Sequence, residues 1–275
     1  MMNDQSIAVA FGGGGARGLS HIWIIDALDE MGIKPVAISG TSIGAIAACL
    51  YASGMSGREL HDYAIALLGN TNEVLGRFWK MRPKTFSDWF ENDTKISEFD
   101  AEKVIQAFLP TQLCNDFADL TIPTSLSATN YFTGAEVVFD EGNLPKALAA
   151  SMAIPALFKP VEYQGQTLVD GACVNPMPID HVRDKADLVV AVDVVGLPSR
   201  PEKGQLSQWE VGFGSTQLLM QTIQREKMRH DKVDVLIHPE IGSFRVLDFL
   251  KAKDILKASE AAKDELKRSL EAKLG

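Results

Sequence analysis

Three short segments of this sequence carry residue types that can do chemistry, and the first contains a serine. Residues 40–44 form a G-x-S-x-G pentapeptide, which stands between an apolar run and a small-residue helical pattern. In a strand–turn–helix setting, a sharp turn lifts the hydroxyl of Ser42 out of the sheet, and Gly40 and Gly44 avoid clashes across the bend. The pattern favours Ser42 as a nucleophile. The alternative is a glycine-bounded turn in which Ser42 only caps the helix.

The second segment is a glycine-rich loop at residues 12–18, between the first apolar run and the first helical pattern. Consecutive glycines allow positive φ angles and expose several N–H groups, and the following helix adds the positive end of its dipole. Such a loop favours an anion, either a dinucleotide pyrophosphate or a reaction oxyanion. Gly13, Gly15 and Gly18 fit the dinucleotide pattern, but that site expects an acidic residue after the second strand, where this sequence has serine, glycine and threonine.

The third segment, residues 168–172, places Asp170 at the end of an apolar run and Gly171 directly after it. Taken alone, an Asp-Gly pair is more often a plain turn. It gains weight because a serine nucleophile needs a base, and each of the five histidines is better explained as structural or exposed. A Ser-His-Asp triad in the α/β-hydrolase chain order would need His181 or His238, and this mechanism stays open as the alternative.

The elements around these segments indicate how they are positioned. Apolar runs at 7–11 and 35–39, each followed by a helical pattern, predict a βαβα unit and hence a parallel sheet covered by helices. Further runs predict strands at 122–128, 136–139, 161–163, 166–169, 188–194 and 233–237, and helices at 57–68, 101–109, 144–152, about 206–230 and at the charged C-terminus.

Two regions do not fit the alternation of predicted strands and helices. Residues 70–100 have little periodicity and many aromatic side chains. Their aromatic side chains are interpreted in one of two ways: they fill the core beneath a long loop, or they belong to a mobile lid that gives lipid or acyl chains access to the site. Residues 196–204 are rich in proline and glycine and predict a connector, which divides a catalytic domain at 7–195 from a helical extension at 196–275 packed on it.

Composition limits the possible partners and the compartment. The 275 residues carry a net charge of −9, with 46% hydrophobic and 23% charged side chains. This charge argues against a nucleic-acid partner and against simple electrostatic attachment to anionic lipid. The three cysteines suggest free thiols in a reducing compartment. Because no signal peptide or membrane-spanning run is recognised, we expect a cytoplasmic protein.

Taken together, the three segments resemble those of the bacterial patatin-like phospholipases. That family carries a glycine-rich loop with Arg or Lys, then G-x-S-x-G one strand later, then Asp-Gly-Gly or Asp-Gly-Ala more than a hundred residues further on. In this chain the corresponding stretches are 13–18, 40–44 and 170–172, and residues 150–158 match the segment that precedes the family's aspartate. The resemblance covers about residues 7–195.

The resemblance implies a fold and a set of roles. The fold is α/β, a three-layer α/β/α sandwich with a mainly parallel central sheet. The activity is that of a serine lipid acyl-hydrolase or esterase, in which Ser42 is the nucleophile and Asp170 is its base. The supporting residues are the N–H groups of Gly13, Gly14 and Gly15 as an oxyanion hole, Arg17 as a support for that loop or for a phosphate head group, and Gly18, Gly40, Gly44 and Gly171 as the glycines that shape the motifs.

The expected partner is a lipid or another acyl ester. We expect no metal and no organic cofactor. Transient contact with a membrane and homo-oligomer formation through the terminal helix stay open. A non-enzymatic alternative also stays open, in which the pocket binds an acyl ligand and the protein acts as a regulator.

Overall fold

The structure is a computed structural model that describes residues 5–69, 76, 99–198, 205–231 and 233–275. Within these residues the chain forms one eight-stranded sheet, ordered β5-β6-β3-β2-β1-β7-β8 with β4 paired to β3. The strands are β1 (Ile7–Phe11), β2 (Ala37–Thr41), β3 (Thr124–Asn130), β4 (Glu136–Phe139), β5 (Val161–Tyr163), β6 (Gln166–Asp170), β7 (Leu188–Val192) and β8 (Val235–Ile237).

The described helices flank this sheet. They are α1 (His21–Glu30), α2 (Ile43–Ala52), α3 (Gly57–Leu68), α4 (Ala101–Phe108), α5 (Leu144–Ser151), α6 (Gln208–Lys227), α7 (Ala252–Ser259) and α8 (Ala261–Leu274). None of these described helices combines the length and the apolar character that crossing a bilayer requires.

The strands at the centre of the sheet are apolar on both faces, as is typical of parallel strands that helices cover on both sides. The strands β3, β2, β1, β7 and β8 run parallel to one another. Along β1 the larger side chains of Ile7, Val9 and Phe11 pack towards helices on one face, and Ala8 and Ala10 pack towards the other. Such a strand needs a cover on each side, which produces three layers.

Different segments supply the two covers. The first face holds α1, α2, α3, α7 and α8 in one cluster, with α4 and α5 packed beside α2 in a second cluster. The second face is covered by Met177, Ile179 and Val182, which α6 joins at its end through Met228. The predicted α/β/α sandwich is therefore confirmed.

The two edges of β3 bring distant parts of the chain together. β4 pairs with residues 126–129 along one edge. The other edge is shared, because β2 pairs with it in parallel up to Thr41 opposite Ser127, and β6 pairs with it in antiparallel from Asp170 opposite Ala128. The ends of β2 and β6 therefore meet on the same edge of β3. Their partners in β3, Ser127 and Ala128, are consecutive residues, about 3.3 Å apart along the strand.

Most predicted elements agree with the observed ones to within a few residues. The second strand was predicted at 35–39 but extends to Thr41, because Gly40 pairs with Phe11 and Thr41 pairs with Ser127. Residues 70–100, for which core filler and a lid were the two interpretations, lie almost wholly outside the described residues, so neither interpretation is tested. The domain boundary at 195 stays a prediction, although Leu266 and Leu270 of α8 pack in the same cluster as β1.

Candidate active site

Ser42 lies in a tight turn between β2 and α2. Its φ of 56° and ψ of −122° place a non-glycine residue at positive φ, a strained conformation that persists only where the surroundings enforce it. The flanking glycines permit the turn, because a Cβ on Gly40 would collide with the backbone of Gly44, and one on Gly44 would overlap the carbonyl of Phe11. A Cβ on Gly18 would overlap the side chain of Ile43, so the glycine loop also packs on this turn.

Asp170 reaches Ser42 from the end of β6. The Ser42 Oγ donates a hydrogen bond of 2.6 Å to Asp170 Oδ2, and the N–H of Ala172 donates one of 2.8 Å to Oδ1. Gly171 is required between them, because a Cβ there would overlap the carbonyl oxygen of Ser127. Both Ser42 and Asp170 are 4% exposed. The structure therefore brings together the two residues that the sequence singled out, which lie 128 positions apart.

The environment of Asp170 changes its acidity. Burial raises the pKa of its carboxyl from 3.8 to about 6, against the hydrogen bonds from Ser42 and from the Ala172 N–H, which lower it. Desolvation disfavours the charged form of a carboxyl group, and it outweighs the hydrogen bonds here. A carboxylate with a pKa near 6 is a stronger base than an ordinary aspartate and is still mostly ionised at pH 7.

The glycine loop lies beside the serine, but its N–H groups are not equivalent. The N–H of Gly13 donates to the carbonyl of Pro176 at 2.8 Å, so it is already used within the protein. The oxyanion roles expected of Gly13, Gly14 and Gly15 stay predictions. Among the described residues the N–H groups of Gly14 and Gly15 have no hydrogen-bond acceptor, so these two are available to a bound oxyanion. A Cβ on Gly13 would sit 3.4 Å from the Cβ of Ser42, which places the loop against the nucleophile candidate.

Arg17 lies behind the glycine loop rather than in an open site. The residue is 1% exposed, and within the described part of the chain its three guanidinium nitrogens have no hydrogen-bond partner. Burial lowers the pKa of Arg17 to about 10, although the charges of Asp193 and Asp248 act to raise it. One guanidinium nitrogen lies close under Gly196. This position favours support of the loop over contact with a lipid head group.

The histidines are placed away from the serine hydroxyl. His181 lies against Glu136 at 3.0 Å, and His238 lies against Asp193 at 3.2 Å. In the described residues neither one hydrogen-bonds to Ser42. The arrangement therefore lacks the serine–histidine contact that the triad alternative requires.

Sequence reasoning missed two residues that hold the site. His21 is fully buried, and its Nε2 donates to the carbonyl of Gly12 at 2.8 Å. Burial lowers the pKa of His21 to about 4, against the opposite effects of the Gly12 hydrogen bond and of Asp193, so its ring is neutral at pH 7. Ser151 accepts a hydrogen bond of 3.0 Å from the N–H of Ser42. The match at 150–158 could have pointed to Ser151, whereas no local pattern distinguishes His21 from a core residue.

An apolar cleft of about 270 Å³ opens beside the aspartate loop. Ala172 and Cys173 line it next to Asp170, Ile154 lines it from the segment after α5, and Leu219 and Met220 line it from α6. None of its described lining residues carries a charge. The cleft therefore offers an apolar surface that begins two residues after Asp170 in the chain.

Fold and site together define a class of protein: a three-layer α/β/α domain with a strained serine turn, a buried carboxylate partner and a glycine loop. The family model described as patatin-like phospholipase matches residues 9–183, more than half of the chain. The chain belongs to the patatin-like phospholipase family.

Relatives and solved structures agree with this assignment. An uncharacterized NTE family protein of Mycobacterium tuberculosis is 32% identical over 205 residues, which cover 73% of this chain and 52% of that protein. Lysophospholipase NTE1 of Saccharomyces cerevisiae is 26% identical over 286 residues, covering 93% of this chain and 16% of the yeast protein. The crystal structure of VipD from Legionella pneumophila has the same fold, with a TM-score of 0.52 and 15% identity over 98% of this chain and 67% of that one. The chain thus spans about half the length of the mycobacterial relative.

Proposed function

We propose that this chain hydrolyses the acyl ester bonds of lipids through a catalytic dyad of Ser42 and Asp170. The observation that carries this proposal is the 2.6 Å hydrogen bond between the hydroxyl of Ser42 and a buried carboxylate whose pKa is raised to about 6. Membership of the patatin-like phospholipase family supports the same activity. A nucleophile and its base within hydrogen-bond reach are the usual signature of covalent catalysis.

The proposed first half-reaction forms an acyl-enzyme. Asp170 Oδ2 takes the proton of the Ser42 hydroxyl as its oxygen attacks the ester carbonyl, and the C=O electrons move onto the carbonyl oxygen. The N–H groups of Gly14 and Gly15 stabilise this oxyanion, a type of contact typically worth about 2.7–4 kcal/mol per donor. The oxyanion then collapses, the C–O bond breaks, and Asp170 returns its proton to the departing alcohol.

The second half-reaction releases the acid. Asp170, again ionised, takes a proton from a water molecule that attacks the acyl carbon on Ser42. The second oxyanion uses the same N–H groups, and its collapse returns the proton to Ser42 as the free fatty acid leaves. The Ala172 N–H holds Oδ1 throughout, so that Oδ2 stays directed at Ser42.

Burial raises the pKa of Asp170 far enough for its carboxylate to act as a general base near neutral pH. A general base is most effective when its pKa lies near the working pH, and an ordinary aspartate at 3.8 is about three units too acidic. At a pKa of about 6, roughly nine in ten Asp170 side chains are ionised at pH 7. The base is therefore both stronger than usual and largely in its active form.

The cleft beside Asp170 supports a substrate with a fatty acyl chain. Its uncharged, mainly apolar lining suits a fatty acyl chain, and no described lining residue would pair with a charged one. The yeast relative is named a lysophospholipase, so a lysophospholipid with one acyl ester is the first natural substrate to test. A cytoplasmic location and transient contact with a membrane surface belong to the same proposal.

The test uses a short p-nitrophenyl ester and a fluorophosphonate probe that labels activated serines. The variants Ser42→Ala and Asp170→Asn are each expected to lose hydrolysis, and Ser42→Ala is expected to lose labelling as well. Full activity in either variant would reject the dyad. Loss of activity in His181→Ala or His238→Ala, with Asp170→Asn still active, would favour a triad. A wild-type chain that binds fatty acid but neither labels nor hydrolyses would be an acyl-binding regulator.

A further inference from the structure

The segment 175–178 connects the parts of the site that come from distant stretches of sequence. Three of its backbone carbonyls accept hydrogen bonds from the chain around the serine. These bonds run from Thr41 Oγ1 to the carbonyl of Asn175 at 2.8 Å, from the Gly13 N–H to Pro176 at 2.8 Å, and from Ser39 Oγ to Pro178 at 2.7 Å. We call residues 175–178 the carbonyl bracket. It fixes both the glycine loop and the end of β2, directly before Ser42.

The carbonyl bracket is also tied to the aspartate loop. The N–H of Asn175 donates to the carbonyl of Gly171 at 2.8 Å, one residue after Asp170. Asn175 therefore donates to the aspartate side with its N–H and accepts from the serine side with its carbonyl. A shift of this one residue would move the two halves of the dyad relative to each other.

The side chain of Asn175 holds the bracket in place. It is fully buried, and its Nδ2 donates to Glu136 Oε1 at 2.8 Å and to Asp180 Oδ1 at 2.9 Å. Both hydrogens of the amide are thus used on carboxylates, which makes these bonds charge-assisted and stronger than neutral ones. The other oxygen of Asp180 accepts from Lys227 Nζ at 2.8 Å.

Glu136 is in turn anchored to the sheet. Its Oε1 accepts from Ser127 Oγ at 2.7 Å and from His181 Nε2 at 3.0 Å, in addition to Asn175. Burial raises the pKa of Glu136, but the hydrogen bonds from His181, Ser127 and Asn175 outweigh it and lower the pKa to about 2. Glu136 is therefore ionised at pH 7. Ser127 lies opposite Thr41 in β3, so the anchor belongs to the strand that also pairs with β2 and β6.

We propose that Asn175, held by Glu136, is a positioning residue that sets the distance between Ser42 and Asp170. This inference rests on the proposed function, because the dyad is what Asn175 positions. Asn175 touches neither reacting group itself. It acts through the Thr41 hydroxyl on one side and through the Gly171 carbonyl on the other.

The experiment measures how fast a fluorophosphonate labels Ser42 in purified full-length variants, per molecule of folded protein. Asn175→Ala is expected to lower the labelling rate and kcat about 10- to 100-fold and to leave KM within twofold, because misplacement of reacting groups by about 1 Å costs up to that much. The cleft is untouched, so binding should persist. A labelling rate equal to wild type in folded Asn175→Ala would overturn the proposal.

A matched control separates positioning from general stability. Leu266→Ala removes a fully buried side chain of α8, remote from the dyad, and lowers the melting temperature without touching the carbonyl bracket. It should label at the wild-type rate well below its melting temperature. If it slowed labelling as much as Asn175→Ala does, the loss would reflect destabilisation alone and the positioning role would be rejected.

A paired exchange tests the contact even if Asn175→Ala fails to fold. Asn175→Asp keeps the shape but places a third carboxylate beside Glu136 and Asp180, so labelling should fall. Adding Glu136→Gln removes one of the two carboxylates that face position 175 and lets the new amide donate to it, while Asp180 still faces it, so the double variant should label several-fold faster than Asn175→Asp but more slowly than wild type. A double variant no faster than Asn175→Asp would contradict the proposal.

Labelling of the wild-type protein distinguishes a failure of this inference from a failure of the proposed function. Wild-type protein that does not label, or that labels equally in Ser42→Ala, would mean that the dyad itself is absent. Wild-type protein that labels through Ser42, with every position-175 variant equally fast, would remove only the positioning role.

Discussion

The buried carboxylate of Asp170 predicts that removing its charge stabilises the protein while it abolishes activity. In Asp170→Asn the amide oxygen can still accept from the Ala172 N–H, and the amide nitrogen can donate to Ser42 Oγ. Both hydrogen bonds can therefore form in the variant, although the one to Ser42 reverses its direction. The variant differs from wild type chiefly in lacking the negative charge that burial disfavours.

The size and the sign of the effect follow from the pKa. The pKa of Asp170 is about 6 in the folded chain and about 3.8 in the unfolded one, so the folded state binds the proton more tightly. Wild-type stability therefore falls as pH rises between these two values, and the full loss above pH 6 is about 3 kcal/mol. About 2 kcal/mol of that loss develops between pH 4.5 and pH 8. Asp170→Asn does not titrate and escapes this loss.

Thermal unfolding at pH 8 and pH 4.5 measures the prediction. At pH 8 Asp170→Asn should melt on the order of 5–10 °C above wild type, and at pH 4.5 the difference should shrink to a few degrees. Ser42→Ala is the matched control, because it is also inactive but retains the charge at position 170, so it should show no such gain. An Asp170→Asn variant that melts at or below wild type at pH 8, or whose advantage is the same at both pH values, would refute the reasoning.

Three further outcomes follow from the same geometry. The rate of Ser42 labelling should rise about tenfold per pH unit below pH 6 and level off above it, because only ionised Asp170 is a base; a flat profile down to pH 4.5 would contradict this. Gly171→Ala should lose at least tenfold in activity and about 1–3 kcal/mol in unfolding free energy, because its Cβ overlaps the Ser127 carbonyl. Gly212→Ala, which lies inside α6 and meets nothing within 4 Å, should keep wild-type activity and gain up to about 1 kcal/mol of stability from helix propensity. Leu219→Glu should lower kcat/KM for long-chain esters about tenfold and spare acetate esters, because the cleft wall becomes charged. Leu218→Glu should have little effect on either ester, because Leu218 is its neighbour on α6 but does not line the cleft.

The sequence predicted the parts of the site that local geometry dictates. Gly40 and Gly44 mark the turn because only glycine fits against the backbone there, and Gly171 marks the end of β6 for the same reason. Where close packing permits only glycine, the glycine itself can be recognised in the sequence. The serine–aspartate pair was found because a nucleophile at Ser42 requires a base, and not because any pattern joins residues 128 positions apart.

The parts that the sequence did not predict depend on contacts between distant segments. The N–H of Gly13 is used by Pro176, and Asn175 is held by Glu136, but neither contact leaves a periodic or local signal. Asparagine before proline suggests only a turn. The buried state of Arg17 was equally invisible, because it depends on residues near 196 that cover the loop from another part of the chain.

The shared edge of β3 determines which changes of the sequence would alter the separation of Ser42 and Asp170. Because β2 and β6 end on adjacent positions of one strand, the hydrogen-bond ladder sets the separation of the two backbones at residues 42 and 170, and the carbonyl bracket then adjusts the distance between their side chains. Insertions between residues 131 and 135 or at 164–165 would leave that separation unchanged. A slip of β6 by a single residue would instead turn the carboxylate to the opposite face of the sheet and disable the site, however well the remaining core is packed.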